Sequence, residues 1–313
     1  MRKILVTGAT GFLGSYVVAE LKKMKYDFKC LVRKEGDAYL LEKEGIQIVY
    51  GDVTNKPSLI SALKGVDTVL HMAGVIKSSS KELYYDVNER GTKNLVEACE
   101  ENKVKKMVHI STQDVVFQQG DYSISKLKGE EVVKNSALAF TVFRPTVIYG
   151  AGECGLKDLV SLIRNFPIVP VLGNGQNKFQ PVYAGDVAKA IVKAVVEPKD
   201  ITKDKTRGRT YSIGGPDRIT FDELVDLIMK ELKIKKAKIH VPALLLKPFV
   251  QVYEKVAPNP FMTVDSLKLL TCDKTCDNSA AITDLGYKPI HFKDGIKYML
   301  KHPKHDDDDK TKK

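Results

Sequence analysis

A phenol and an ammonium one helical turn apart can move a proton, and Tyr122 and Lys126 stand at that spacing in GDYSISK, residues 120–126. At i, i+4 on a helix both side chains share one face, about 6 Å apart along the axis. A tyrosine of ordinary pKa, about 10, is too weakly ionised to act as a base at neutral pH. A cationic Lys126 beside it is expected to favour the phenolate and lower that value. A hydroxyl from Thr112, or from Ser111, in KMVHIST could then hold a substrate oxygen between itself and the phenol. The spacing alone describes one turn of a solvated helix equally well, so the surrounding elements must decide.

The second constellation is VTGATGFLG, with Gly8, Gly11 and Gly14 between an apolar run, KILV, and a helical pattern over residues 12–23. Glycine at the first two positions lets the backbone turn tightly and approach a pyrophosphate at the helix N-terminus, with Thr10, Phe12 and Leu13 alongside. Glycine at the third lets helix and strand pack closely. Short apolar runs then alternate with helical patterns: FKCLVR, IQIVYGD, DTVLHMAG, a long helix over 81–102, KMVHIST, the GDYSISK helix and FTVFRPTVIYG. Such alternation implies βαβ crossovers, and therefore an α/β fold with a doubly wound parallel Rossmann sheet.

Regularity ends after Gly150. Residues 1–150 read as a dinucleotide-binding domain to which 181–214 return. Residues 151–180, rich in Gly, Pro and Asn, read as loops and a short helix. With 215–302 they would form a smaller, mainly helical C-terminal substrate lobe, in which Thr220 and Glu223 can form a capping box and the apolar spacing of VPALLLKPFVQVYEKV is expected to bury a core, with a substrate-pocket wall or a weak membrane-surface contact as the alternative. The tail HDDDDKTKK, within 303–313, is a solvated charge run or the remnant of a protease-site tag.

Composition narrows the class. With 43% hydrophobic and 28% charged residues the chain has the make-up of a soluble globular protein. Its net charge of +11 is scattered, without a basic helix interleaved with aromatics, so no nucleic-acid partner is expected; a weak association with an anionic membrane surface fits the charge. Five separated cysteines suggest no disulfide framework and no metal site, which fits a reducing cytoplasm. The apolar run at the N-terminus is too short for a signal peptide, and no stretch of about 20 apolar residues is present to span a bilayer.

Taken in order, these motifs resemble those of the extended short-chain dehydrogenase/reductases, over nearly all of residues 1–300. TGxxGxxG is joined by Asp52-Val53, which resembles the pair that contacts adenine, and by His71-Met72-Ala73-Gly74, which resembles the strand-four segment lining the cofactor. Asn88 with Gly91-Thr92, then Ser111-Thr112, Tyr122 with Lys126, Arg144-Pro145 with Tyr149-Gly150, and PVYAGDVA at 181–188 follow. The resemblance implies Thr112, Tyr122 and Lys126 as the catalytic set. It also implies cofactor contacts from Lys126 to the nicotinamide ribose, from Asn88 to the cofactor or a water, and from Ser111, Pro145 and Val147. Helix-mediated dimers are common in that family, so a homodimer is expected by resemblance. One departure is that only nine residues separate Thr112 from Tyr122, with Val116-Phe117 where many relatives have Tyr-Gly.

The second strand ends in Arg33-Lys34, where a carboxylate would accept hydrogen bonds from the adenosine ribose and repel a 2′-phosphate. NADP is therefore expected, with NAD the alternative. Family members that act on sugar nucleotides place an Asn and an Arg where this chain has Val147 and Phe179, and neither of those binds phosphate. That favours hydride exchange with a carbonyl or alcohol of a largely apolar small molecule over epimerisation or dehydration of a sugar nucleotide. GNGQNKFQPVYAGDVAKAI, YSIGGPDRITFDELV and VPALLL resemble prokaryotic proteins similar to the dehydrogenase-like accessory subunit of respiratory complex I. A structural NADP(H)-binding, quinone- or membrane-complex-associated role is therefore a further alternative.

Overall fold

The computed structural model describes residues 3–33, 38–152, 155–196, 201–257 and 262–301. Lys34, Cys154 and the acidic tail lie outside them. Seven parallel strands form one sheet: β1 (Ile4–Thr7), β2 (Phe28–Val32), β3 (Gln47–Tyr50), β4 (Thr68–His71), β5 (Lys106–Ile110), β6 (Ala139–Pro145) and a last strand, Arg209–Ile213. Their spatial order is β3-β2-β1-β4-β5-β6 followed by Arg209–Ile213, so the direction of winding reverses between β1 and β4. In sheets of this kind the crevice at that reversal, beyond the carboxyl ends of the strands, receives the ligand.

Alternate residues of β1 serve opposite faces. Ile4 and Val6 pack with Val17, Val18 and Leu21 of helix α1 (Phe12–Lys23) and with Val187, Ile191 and Val195 of the helix Ala184–Val196. Leu5 packs with Leu59, Leu95 and Val133 from the opposite layer of helices. All four β1 residues are buried, as a strand covered on both sides requires.

The segment 81–101 is helical throughout, but Tyr85–Gly91 is a π-helical stretch between Lys81–Tyr84 and Thr92–Glu101. Such insertions re-aim side chains within an otherwise continuous helix.

Residues 151–180 hold more regular structure than the sequence suggests. The helix Gly155–Asn165 is followed by the strand Ile168–Leu172, which pairs in parallel with Ala237–Val241. Local Gly and Pro content masks these elements because the strand's partner lies far away in the chain. A separate apolar cluster joins Leu156, Val160 and Ile163 to Leu224, Ile228, Phe292 and Ile296. Thr220 caps the helix Phe221–Leu232, and Glu223 completes the box. The helix Ala243–Val256 does not bury a core as its spacing suggests: only Val250 is buried, while Leu244, Leu245, Phe249, Val252 and Val256 are 61–78% exposed.

Candidate active site

The glycine turn forms a cradle at the N-terminus of α1. Gly8 has φ +73°, and a Cβ there would lie 2.6 Å from the backbone of Met72 and Ala73. A side chain at Gly14 would run into the carbonyl of Gly8, so only glycine lets α1 approach β1 this closely. No side chain caps α1 at Gly11, and its first turn carries no acid. The positive end of the helix is thereby presented to an anionic ligand.

This cradle opens into a cavity of about 720 Å³ lined by Gly8, Thr10, Gly11, Phe12, Leu13 and Gly14, by Arg33 after β2, and by Asp52-Val53 after β3. Met72-Ala73-Gly74, Ser111-Thr112, Tyr122, Lys126, Pro145 and Val147 line the rest. A glycine cradle at one end and a Tyr–Lys pair at the other, joined by a continuous cleft, fit an extended dinucleotide.

Tyr122 and Lys126 lie on the helix Gly120–Lys134. The short link from Thr112 is closed by a 3₁₀ turn, Gln113–Val116, and by left-handed Gln118 and Gly120, which swing the helix start back toward β5. Thr112 accepts from the Asp114 amide at 3.2 Å, which leaves the hydroxyl proton free to donate, and the hydroxyl reaches the Tyr122 phenol. From the C-terminal region, Asp265 accepts the Asp121 amide at 2.7 Å and so fixes the first turn beside Tyr122.

The electrostatics differ from the expectation that Lys126 would lower the Tyr122 pKa. Burial and then the Asp114 carboxylate push that phenol up, and the hydrogen bond with Thr112 opposes them only in part. Burial lowers Lys126 itself to about 8, with Glu130 partly restoring it. The Lys126 ammonium donates to the Ile110 carbonyl at 2.7 Å, and lies 3.7 Å from where a Gly74 side chain would begin. Burial dominates at both groups, so in this form Tyr122 is a protonated phenol able to donate its proton.

Asn88 does not line the cavity. The π-helical stretch turns it inward, where its side-chain oxygen accepts from the Val75 amide at 2.8 Å and its NH2 donates to the Val75 carbonyl and to Ser125. It ties the segment following Gly74 to the Tyr122 helix. His71 is likewise a clamp, held between Thr7 at 2.7 Å and Thr92 at 3.0 Å, and burial lowers it to about 3, which keeps it neutral. Among the described residues no cluster suited to a metal ion is present. Burial pushes the Cys30, Cys99 and Cys276 thiols up to about 12, which keeps them from reacting.

Two ionic features beside the site are absent from the sequence reading. Lys274 reaches both oxygens of Asp114 at 2.8 Å, and both residues line the cavity near Tyr122. Glu130, fully buried one turn beyond Lys126, is gripped by Arg144 at 3.0 and 2.6 Å and by Lys134 at 2.5 Å. Against the upward push of burial, those cations hold its carboxyl below the usual range. Phe179 is buried against Phe221 and does not face the cavity.

The winding, the glycine cradle and the Tyr–Lys couple define a Rossmann dinucleotide-binding enzyme. The profile of the NAD dependent epimerase/dehydratase family matches residues 4–214, and the chain belongs to that family, whose members of this extended short-chain dehydrogenase/reductase type are NAD(P)-dependent oxidoreductases. The chain is 27% identical to 3beta-hydroxysteroid-dehydrogenase/decarboxylase isoform 2 of Arabidopsis thaliana, covering 96% of this chain but only 61% of that protein. It is 26% identical to the mitochondrial NADH-ubiquinone oxidoreductase 40 kDa subunit of Neurospora crassa, covering 91% and 75% respectively. In fold it is similar to the UDP-glucose 4-epimerase of Thermus thermophilus in complex with NAD, with a TM-score of 0.73, 20% identity, and 96% and 98% of the two chains covered.

Proposed function

We propose that the protein is an NADP(H)-dependent oxidoreductase acting on a carbonyl or alcohol carbon of a largely apolar small molecule, of the hydroxysteroid kind named in the Arabidopsis relative. The observation that carries this reading is that Thr112, Tyr122 and Lys126 line the same cavity as the glycine cradle. Bound nicotinamide supplies or accepts the hydride. Thr112 and Tyr122 hold the substrate oxygen, and the protonated phenol gives it a proton during reduction. The Lys126 charge then steadies the phenolate that results. Val147 in the cavity wall and the buried Phe179 supply no phosphate ligand, which supports an uncharged substrate over a sugar nucleotide. Arg33, exposed at the cavity rim beyond β2, supports NADP over NAD because a guanidinium pairs with a 2′-phosphate.

The Neurospora relative supports a second reading, in which the chain holds NADP(H) within a membrane complex without turning it over. Hydride exchange from labelled NADPH to a panel of steroids, ketones, quinones and nucleotide sugars, with wild type and Tyr122→Phe, separates these. Transfer to an apolar ketone that Tyr122→Phe loses is the expected result. Turnover of a nucleotide sugar would overturn the apolar assignment, and bound NADPH that exchanges with no compound would favour the second reading.

A further inference from the structure

The helix Ala243–Val256 exposes Leu245, Phe249, Val252 and Val256 at i, i+4, i+7 and i+11, so they form one continuous stripe along its outer side, with Leu244 and Pro248 beside it. Leu244, Phe249 and Val256 are each more than 70% exposed, which no isolated surface residue requires. Lys255 is exposed on the flank of the stripe, whereas Lys247, seven residues before Glu254, is exposed on the opposite side of the helix. Residues 233–256 contain six lysines and a single acid, Glu254. That acid accepts the Val264 amide at 2.9 Å and so belongs to the inner side of the helix.

We infer that this helix docks on an anionic lipid membrane, lying in the headgroup layer with the Leu245–Val256 stripe turned toward the acyl chains. At fourteen residues the helix is about 21 Å long, short of the roughly 30 Å hydrocarbon core, so it lies in the interface rather than crossing it. No described helix is long and apolar enough to cross a membrane. Lys255 on the flank and the lysine excess of residues 233–256 complement anionic headgroups, whereas a second copy would bring the same positive charge against them. A stable protein interface takes about 20–30 residues a side, and this stripe offers six. Glu254 lies near enough to Tyr84 to raise its phenol pKa, and the Tyr84 ring packs 6.3 Å from that of Tyr122. The docking helix therefore stands beside the part of the molecule where Ile76 and Leu83 give the cavity an exposed apolar rim.

The test is co-sedimentation of the full chain with vesicles of phosphatidylcholine alone and with a third of phosphatidylglycerol. Wild type is expected to bind the anionic vesicles and to be released by high salt. Leu245→Ser/Phe249→Ser/Val252→Ser should bind roughly tenfold more weakly or worse, since three inserted apolar side chains are lost. Lys255→Glu should also bind roughly tenfold more weakly, through reversed charge at the surface. Both variants change exposed positions, and unaltered melting and cofactor binding confirm that they fold. Absence of sedimentation with anionic vesicles, binding that the triple serine variant retains, or a wild-type dimer in solution that this variant converts to monomer would each overturn the inference.

Discussion

Lys126→Met should make the protein more stable at neutral pH while disabling it. The ammonium is buried, and its pKa falls from 10.5 to about 8. At about 1.4 kcal/mol per pH unit, holding it charged in the folded state costs about 3 kcal/mol. The folded state binds this proton less tightly than the unfolded chain does, so the penalty is fully present below pH 8 and disappears as pH rises from 8 to 10.5. Methionine removes the penalty and forfeits the charge-assisted hydrogen bond to the Ile110 carbonyl, worth about 1.5–3 kcal/mol, for a net gain of at most about 1.5 kcal/mol at pH 7. Urea unfolding of wild type and variant at pH 7 and pH 10 measures this: the gain should be present at the first and shrink or reverse at the second. Reduction by the wild type should fall above about pH 8 as Lys126 loses its proton, and the variant should lack that inflection at a rate reduced roughly a hundredfold. A variant destabilised at pH 7, or a stability difference independent of pH, would refute the claim that dehydration dominates this lysine.

Arg33→Ala should weaken NADP(H) binding by roughly tenfold or more through loss of a charge-assisted hydrogen bond, and leave NAD unchanged; isothermal titration with both cofactors checks this, and unchanged NADP affinity would remove the basis for preferring it. Asp204→Ala leaves the fully buried ammonium of Lys106 without its carboxylate, which should cost about 3–5 kcal/mol in denaturant unfolding. Lys274→Met leaves Asp114 uncompensated near Tyr122, a phenol which that carboxylate already pushes up; alcohol oxidation, which needs the phenolate, should then begin at higher pH, as a pH–rate profile in the oxidative direction would show.

What was legible in the sequence is what local spacing encodes. The Gly8–Gly11–Gly14 turn opens a helix at Phe12 because tight approach and the following amphipathic run are both local, and Tyr122 and Lys126 share a face because one turn of helix makes them do so. Asn88 was expected to contact the cofactor or a water only through the family resemblance. The π-helical Tyr85–Gly91 stretch turns it to the Val75 backbone instead, and nothing in NERGT announces that extra residue per turn. Lys274 and Asp114 are separated by 160 positions, and the strands Ile168–Leu172 and Ala237–Val241 by about as many side chains as a small domain holds. Pairings of that kind arise from tertiary packing, not from either segment.

Apolar periodicity shows why legibility has a limit of principle. Ile4 and Val6, the Leu224–Ile228 face and the Leu245–Val256 stripe all satisfy a pattern that calls for burial, and the first two are buried in the sheet layer and the lobe. The third carries the same pattern and is left exposed by the described residues along that side, because the pattern records only that a face avoids water, not what covers it. The electrostatics of the site follow the same logic. A Tyr and a Lys at i, i+4 specify proximity, but whether the lysine charge reaches the phenol depends on how much water the surrounding elements exclude. Those elements include the β5 end that supplies Ile110 and Thr112, and the distant Asp265 that fixes the helix start. Exclusion of water is thus what turns a common pair of residues into a proton donor held ready beside a dinucleotide cradle.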